Sequence, residues 1–159
     1  MSALKAKVLL ETSFLSYLTA LPSRDIVHAA HQQITREWWA KRSRFELYVS
    51  QAVLGEAGRG NASAAARRLG AAKGLSVLAV TREASDLAEL FLKASALPAK
   101  AAVDAVHIAV AVVHGMDYLL TWNCTHIANA KIRWKIDEIC RAEGLRPAMI
   151  CTPEELMEI

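Results

Sequence analysis

Cysteine is scarce in this chain and badly placed for cross-linking. Cys124, Cys140 and Cys151 are odd in number and show no C-x-x-C spacing. Neither a disulfide framework nor a zinc site follows, and a reducing compartment fits best. Long apolar runs are missing as well. The longest, Ala105 to Val113, carries His107 and is far too short to span a bilayer. Glu11 breaks the apolar run Val8-Leu9-Leu10, so no signal peptide is expected. A soluble, cytoplasmic protein with no membrane partner is the expectation. Charge of one sign is not in excess: the formal net charge of +3 permits a nucleic-acid partner without arguing for one. No Pro-rich linker, low-complexity tract or repeat of about 20–50 residues is visible. There is no G-x-S-x-G elbow, no Walker-type loop and no G-x-G-x-x-G; Gly58-Arg59-Gly60 lacks the third glycine and follows a helix.

What remains is an ordinary globular composition, 53% hydrophobic and 22% charged, over 159 residues. A chain of this length is most simply one domain, residues 1–159, large enough to bury a core without staples. Short apolar runs predict buried strands at Ala6–Leu10, Phe45–Val49, Ser76–Val80, Asp117–Thr121 and Ala148–Cys151. Helices are predicted between them. Thr12 or Ser13 caps one that Leu21-Pro22 ends, and Arg24–Lys41 forms another with Val27, Ala30, Ile34 and Trp38 on one face. A short helix runs through Val53 and Glu56, and Asn61 caps Ala62–Ala72. Thr81 caps Glu83–Ser95, Gly115 closes Ala101–His114, and Ile132–Glu143 is the last. Alternation of this kind predicts an α/β fold: a three-layer α/β/α sandwich on a central parallel sheet of four to five strands, with an early helical hairpin inserted.

Four oxygen-bearing side chains sit where such a fold gathers them. Glu11 closes the first strand, Asn123 follows the fourth, and Glu56 lies on the short helix after the second. Asp104 interrupts a helix that is otherwise nearly all apolar. Side chains at the carboxyl ends of neighbouring parallel strands meet at one crevice. Clustered acids repel unless a cation sits among them. A Mg²⁺- or Mn²⁺-type site is therefore the first hypothesis.

The residues that carry these positions also carry a likeness. Val8-Leu9-Leu10-Glu11-Thr12-Ser13, Ser50 through Glu56, Asp104-Ala105-Val106-His107-Ile108-Ala109 and Leu119-Leu120-Thr121-Trp122-Asn123 resemble the PIN-domain family. The resemblance is nearest to its VapC-type members from prokaryotic toxin–antitoxin pairs and extends to Thr152-Pro153-Glu154-Glu155-Leu156. It implies a PIN-like sandwich that binds Mg²⁺ or Mn²⁺ and hydrolyses RNA phosphodiesters, with Glu11, Glu56 and Asp104 as metal ligands and Asn123 as the fourth catalytic position. It also implies a homodimer and an antitoxin that covers the crevice. Two departures stand out. Glu11 is one methylene longer than the family's usual Asp, and Asn123 brings an oxygen but no charge where an Asp is usual. Asp117 does not substitute, because it begins its strand while the crevice lies at the far end.

Each position has a plainer reading beside it. Asp104 could cap its helix, Glu11 could serve a helix N-terminus, Glu56 could be a solvated surface acid, and Asn123 an ordinary turn residue. On an apolar helix His107 is expected to be a hydrogen-bonded structural residue rather than a ligand, and His28-x-x-His31 lacks further ligands for zinc. Thr12, Ser13, Ser50 and Thr121 are candidates to orient carboxylates by hydrogen bonds. Trp122 is a candidate to stack on an unpaired base, or to pack. Arg36 to Arg44, with Trp38 and Trp39, is the one stretch resembling a contact patch for RNA or for an acidic antitoxin segment. The expected activity is that of a metal-dependent endoribonuclease. A PIN-like binding module with weak or no catalysis and a small-molecule phosphohydrolase are the rivals.

Overall fold

A computed structural model describes residues 3–94 and 96–157. The predicted helix end at Ser95 lies outside the described residues. Five short strands, β1 (Lys7–Leu10), β2 (Glu46–Ser50), β3 (Ser76–Leu78), β4 (Tyr118–Leu120) and β5 (Met149–Cys151), form one all-parallel sheet in the order β3-β2-β1-β4-β5. In the central register Leu9 faces Tyr48 on one side and Leu119 on the other. Among the described residues seven α-helices cover the sheet: α1 (Thr12–Thr19), α2 (Ile26–Ala40), α3 (Gln51–Ala57), α4 (Ala62–Ala72), α5 (Arg82–Lys93), α6 (Ala102–Val113) and α7 (Ala130–Ala142).

Strand side chains alternate between faces, and that alternation divides the core in two. Val8, Leu10, Val49 and Leu120 pack with Phe14, Leu15, Trp38 and Val53, under α1 to α4. Leu9, Leu119 and Ile150 pack with Phe91, Ile108, Ile132 and Ile136, under α5 to α7. Apolar runs with no polar alternation are what a sheet buried on both faces requires. The early hairpin forms as α1 and α2, which pack against each other before the chain returns to β2.

Two local expectations change. The third strand ends at Leu78 rather than Val80, because the Val80 N–H leaves the ladder to donate to Gln51 Oε1 at 2.9 Å. The cap of α1 is neither Thr12 nor Ser13. Glu11 folds its carboxylate back to accept the Ser13 N–H at 2.9 Å. Asn61 and Thr81 cap α4 and α5 as their side-chain chemistry dictates. Gly115, at φ +69°, closes α6 with the Met116 N–H donating to Ala111 and its own N–H to Val112.

The strand order also fixes where a site can lie. From β1 the chain builds outward through β2 and β3, then crosses to the other side of β1 for β4 and β5. The order of connection therefore reverses between β1 and β4 within the parallel sheet, the place where such folds carry a crevice beyond the carboxyl ends.

Candidate metal centre

Glu11 follows β1 and Asn123 follows β4, so the two flank that crevice by topology alone. Glu11 is nearly buried, at 4% exposure. Its Oε2 accepts from the Ser13 N–H (2.9 Å), the Ser13 hydroxyl and the Thr121 hydroxyl (2.8 Å). Thr121 Oγ1, wholly buried, also accepts the Asn123 N–H at 2.9 Å. Ser13 Oγ in turn accepts the Trp122 N–H at 2.8 Å, so β1 and β4 are laced together through two hydroxyls.

Glu56 reaches the crevice from α3. Its Oε1 accepts from Thr12 Oγ1 at 2.5 Å and from His107 Nε2 at 2.6 Å. The His107 hydrogen bond does most to hold the Glu56 carboxyl below its usual range. Burial opposes this, while the Thr12 bond and the charges of His107 and Arg59 assist. Burial favours a neutral His107 ring, but the Glu56 bond and the charges of Glu11, Glu56 and Asp104 together outweigh it and raise its pKa. Ligand atoms of Glu11, Glu56 and His107 lie within 4.8 Å of one another.

Asp104 sits in the first turn of α6, where a helix dipole favours a carboxylate. It is not the cap; Ala101 holds that place without a side-chain bond. Asp104 Oδ1 accepts from Asn123 Nδ2 at 3.2 Å, and Oδ2 faces His126 Nδ1 at 3.3 Å. Burial, followed by the nearby charges of Glu11 and Glu56, pushes its carboxyl up; His107 and His126 pull the other way. The charges of Glu11 and Glu56 thus disfavour an ionised Asp104, a repulsion that a hard cation among them would relieve. The donor set, carboxylate oxygens backed by hydroxyls, suits Mg²⁺ or Mn²⁺.

The structure thus brings Glu11 and Glu56 together around His107, and sets Asp104, paired with Asn123 and His126, near enough to feel both charges; Thr12, Ser13 and Thr121 are bonded to Glu11 and Glu56. Two other candidates are engaged elsewhere. Ser50 Oγ accepts the Val53 N–H and caps α3. Trp122 is 8% exposed, gives its indole N–H to Thr35 Oγ1 (2.8 Å) and stacks on His31 at 4.0 Å, so it packs rather than offering a face to a base. Asn123 is committed at both ends of its amide, since Oδ1 accepts the His126 N–H at 3.0 Å. Asp117, at the amino end of β4, accepts the Lys7 N–H and pairs with Arg146, away from the crevice.

Within the basic stretch, Arg42 to Arg44 lead into the amino end of β2, at the other end of that strand from the crevice, and Arg36, on α2, donates to Ala20 O. Trp38 is wholly buried, and Arg42 lies over Trp39 at 4.3 Å. His107 is hydrogen-bonded, as expected on an apolar helix, but its partner is one of the acids, and His126 is a further polar contact that the residues alone do not mark. His107 had a signal, being one helical turn past Asp104 on the same face. His126, three residues after Asn123, had only its place in a turn.

The family model described as the PIN domain matches residues 8–123. No curated protein matches the chain. Among solved structures, Mycobacterium tuberculosis VapC20, a sarcin–ricin loop cleaving toxin, superposes with a TM-score of 0.57 at 22% identity, over 74% of this chain and 91% of that one. DNA-bound VapBC from Salmonella typhimurium gives 0.56 at 15% identity, over 93% and 98%. VapBC2 from Rickettsia felis, bound to a DNA fragment from their promoter, gives 0.53 at 12% identity, over 92% and 98%. At these identities the likeness speaks for the fold.

Proposed function

The chain belongs to the PIN domain family, and on that premise we propose that it is a metal-dependent endoribonuclease, the toxin of a type II toxin–antitoxin pair. The observation that supports this reading is the convergence of Glu11, Glu56 and Asp104 on one crevice, each tied to a hydroxyl, imidazole or amide donor. Those three side chains would hold Mg²⁺ or Mn²⁺. When bound, such an ion polarises the scissile phosphate and lowers the pKa of an attacking water.

The chain's own residues do the positioning. Thr121 and Ser13 fix Glu11, Thr12 and His107 fix Glu56, and Asn123 fixes Asp104. Carboxylates held in this way need little reordering when they meet a cation. No side chain is required as a nucleophile. We place the protein in the cytoplasm as a single PIN-like domain and a homodimer, inhibited by an antitoxin that covers the crevice. The similarity to toxins of VapBC pairs motivates the antitoxin, and the VapC20 likeness makes structured RNA the substrate to try.

Purified protein incubated with structured RNA and Mg²⁺ or Mn²⁺ should cut it, while chelator or Asp104→Ala should abolish cutting. Equal cutting by the variant at matched purity would remove the mechanism. One observation favours the rival binding module: Asn123 stands where a fourth acid is usual and spends its amide on Asp104 and His126. RNA binding that survives chelator, without cleavage, would select that alternative.

A further inference from the structure

Each acid in the crevice carries two oxygens, and the protein has already claimed one on each. Glu11 Oε2 accepts from Ser13 and Thr121, Glu56 Oε1 from Thr12 and His107, and Asp104 Oδ1 from Asn123. Among the described residues Glu11 Oε1 and Glu56 Oε2 accept no hydrogen bond. Asp104 Oδ2 faces only the part-exposed His126 ring.

His107 is the unusual member. Its side chain is wholly buried, and Nδ1 has no hydrogen-bond partner among the described residues. A buried ring nitrogen left unpaired is costly, and an aliphatic side chain would fill the same space without that cost. The ring's polar contacts all point at the acids: Nε2 lies 2.6 Å from Glu56 Oε1 and 3.9 Å from Glu11 Oε1. A carboxylate only accepts, so Nε2 carries the proton. A metal-ligating nitrogen must be free of its proton, which makes the 2.6 Å bond to Glu56 incompatible with ligation by Nε2.

We infer that His107 is a positioning residue that ties up Glu56 Oε1, so that the crevice presents one oxygen per acid and takes a single divalent cation. The inference rests on the metal reading above and deepens it. Two ions about 3.5–4 Å apart are normally clamped by shared ligands. Such sharing would draw on the second oxygen of at least one carboxylate; here that oxygen is filled on Glu11 by Ser13 and Thr121 and on Glu56 by Thr12 and His107, and on Asp104 it already accepts from Asn123. Asn123 adds no charge that would offset the repulsion of a second cation.

Calorimetric titration with Mn²⁺ tests this without any activity readout. Wild type should bind one ion per chain. His107→Leu should bind it about 10–100-fold more weakly. His107→Gln, whose amide can still donate to Glu56, should recover most of that loss. Two ions per wild-type chain, or equal affinity in His107→Leu, overturns the inference. Should the leucine variant fail to fold, pulsed electron paramagnetic resonance of Mn²⁺ in the wild type decides. No directly bound nitrogen supports the positioning role, and an imidazole coupling overturns it. Absence of any binding in wild type, unchanged by Asp104→Ala, would remove the metal reading itself and this inference with it.

Discussion

Replacing Thr121 by Val should lower the melting temperature by about 5–10 °C, although the two side chains have nearly the same shape. Thr121 Oγ1 is wholly buried and does two jobs. It donates to the Glu11 carboxylate at 2.8 Å and accepts the Asn123 N–H at 2.9 Å. A hydrogen bond to a charged group contributes about 1.5–3 kcal/mol, and an orphaned backbone donor costs about 1–3 kcal/mol. The low end applies to both. Glu11 keeps its Ser13 donors, and the Asn123 N–H is only part-buried. Together they give about 2–3 kcal/mol, and each kcal/mol shifts the midpoint by about 2–4 °C in a chain of this size. Thr19→Val is the control: its hydroxyl only back-bonds to Leu15 O within α1, so a change of about 0.5 kcal/mol or less is expected. The assay is thermal unfolding by circular dichroism without metal. If Thr121→Val melts within about 1 °C of wild type, the lacing of β1 to β4 through hydroxyls is not what holds the crevice together.

Other consequences lie away from the acids. The bond from the Lys7 N–H does most to hold the Asp117 carboxyl below its usual range, and Arg146 assists. Because the folded-state pKa is depressed, its stabilisation is present above the unfolded value near 4 and fades as pH falls through the lower folded value. Wild type should therefore lose more stability than Asp117→Asn when melted at successively lower pH from 5 to 3; parallel curves would contradict this. Two glycines predict opposite signs in thermal melts. Gly115→Ala meets no neighbour within 4 Å but is forced to φ +69°, costing about 1–2 kcal/mol. Gly70→Ala, exposed within α4 with equally open space, should stabilise by about 0.5–1 kcal/mol. Loss at both positions, or gain at both, would count against the backbone argument.

Much of this architecture was legible in residues because local and global preferences agree. Apolar runs too short for helices and too continuous for half-exposed strands mark a sheet covered on both faces, and Asn61, Thr81 and Gly115 punctuate it by their own chemistry. Glu11 and Asn123 are placed at one crevice by topology, which decides which strand ends meet, whereas Glu56 and Asp104 enter from α3 and α6. What stayed hidden depends on contacts between distant segments. The pairing of His107 with Glu56 spans 51 positions, and that of Trp122 with Thr35 spans 87. No local pattern signals either. The plainer reading of Glu11, an acid serving a helix N-terminus, holds beside the crevice one, since its carboxylate caps α1; only the choice of Thr12 or Ser13 as the cap fails, because Ser or Thr normally leads at such positions. Composition marks the basic stretch before β2 as a contact for RNA or an acidic antitoxin segment, but composition cannot tell that Arg42 to Arg44 enter the amino end of β2, opposite the end where Glu11 lies.

The most direct test of the account is a crystal grown with Mn²⁺ and measured at the manganese absorption edge. The account predicts anomalous density bounded by the carboxylates of Glu11, Glu56 and Asp104, and its loss in Asp104→Ala. Density confined to other surfaces, or none at saturating Mn²⁺, would contradict it.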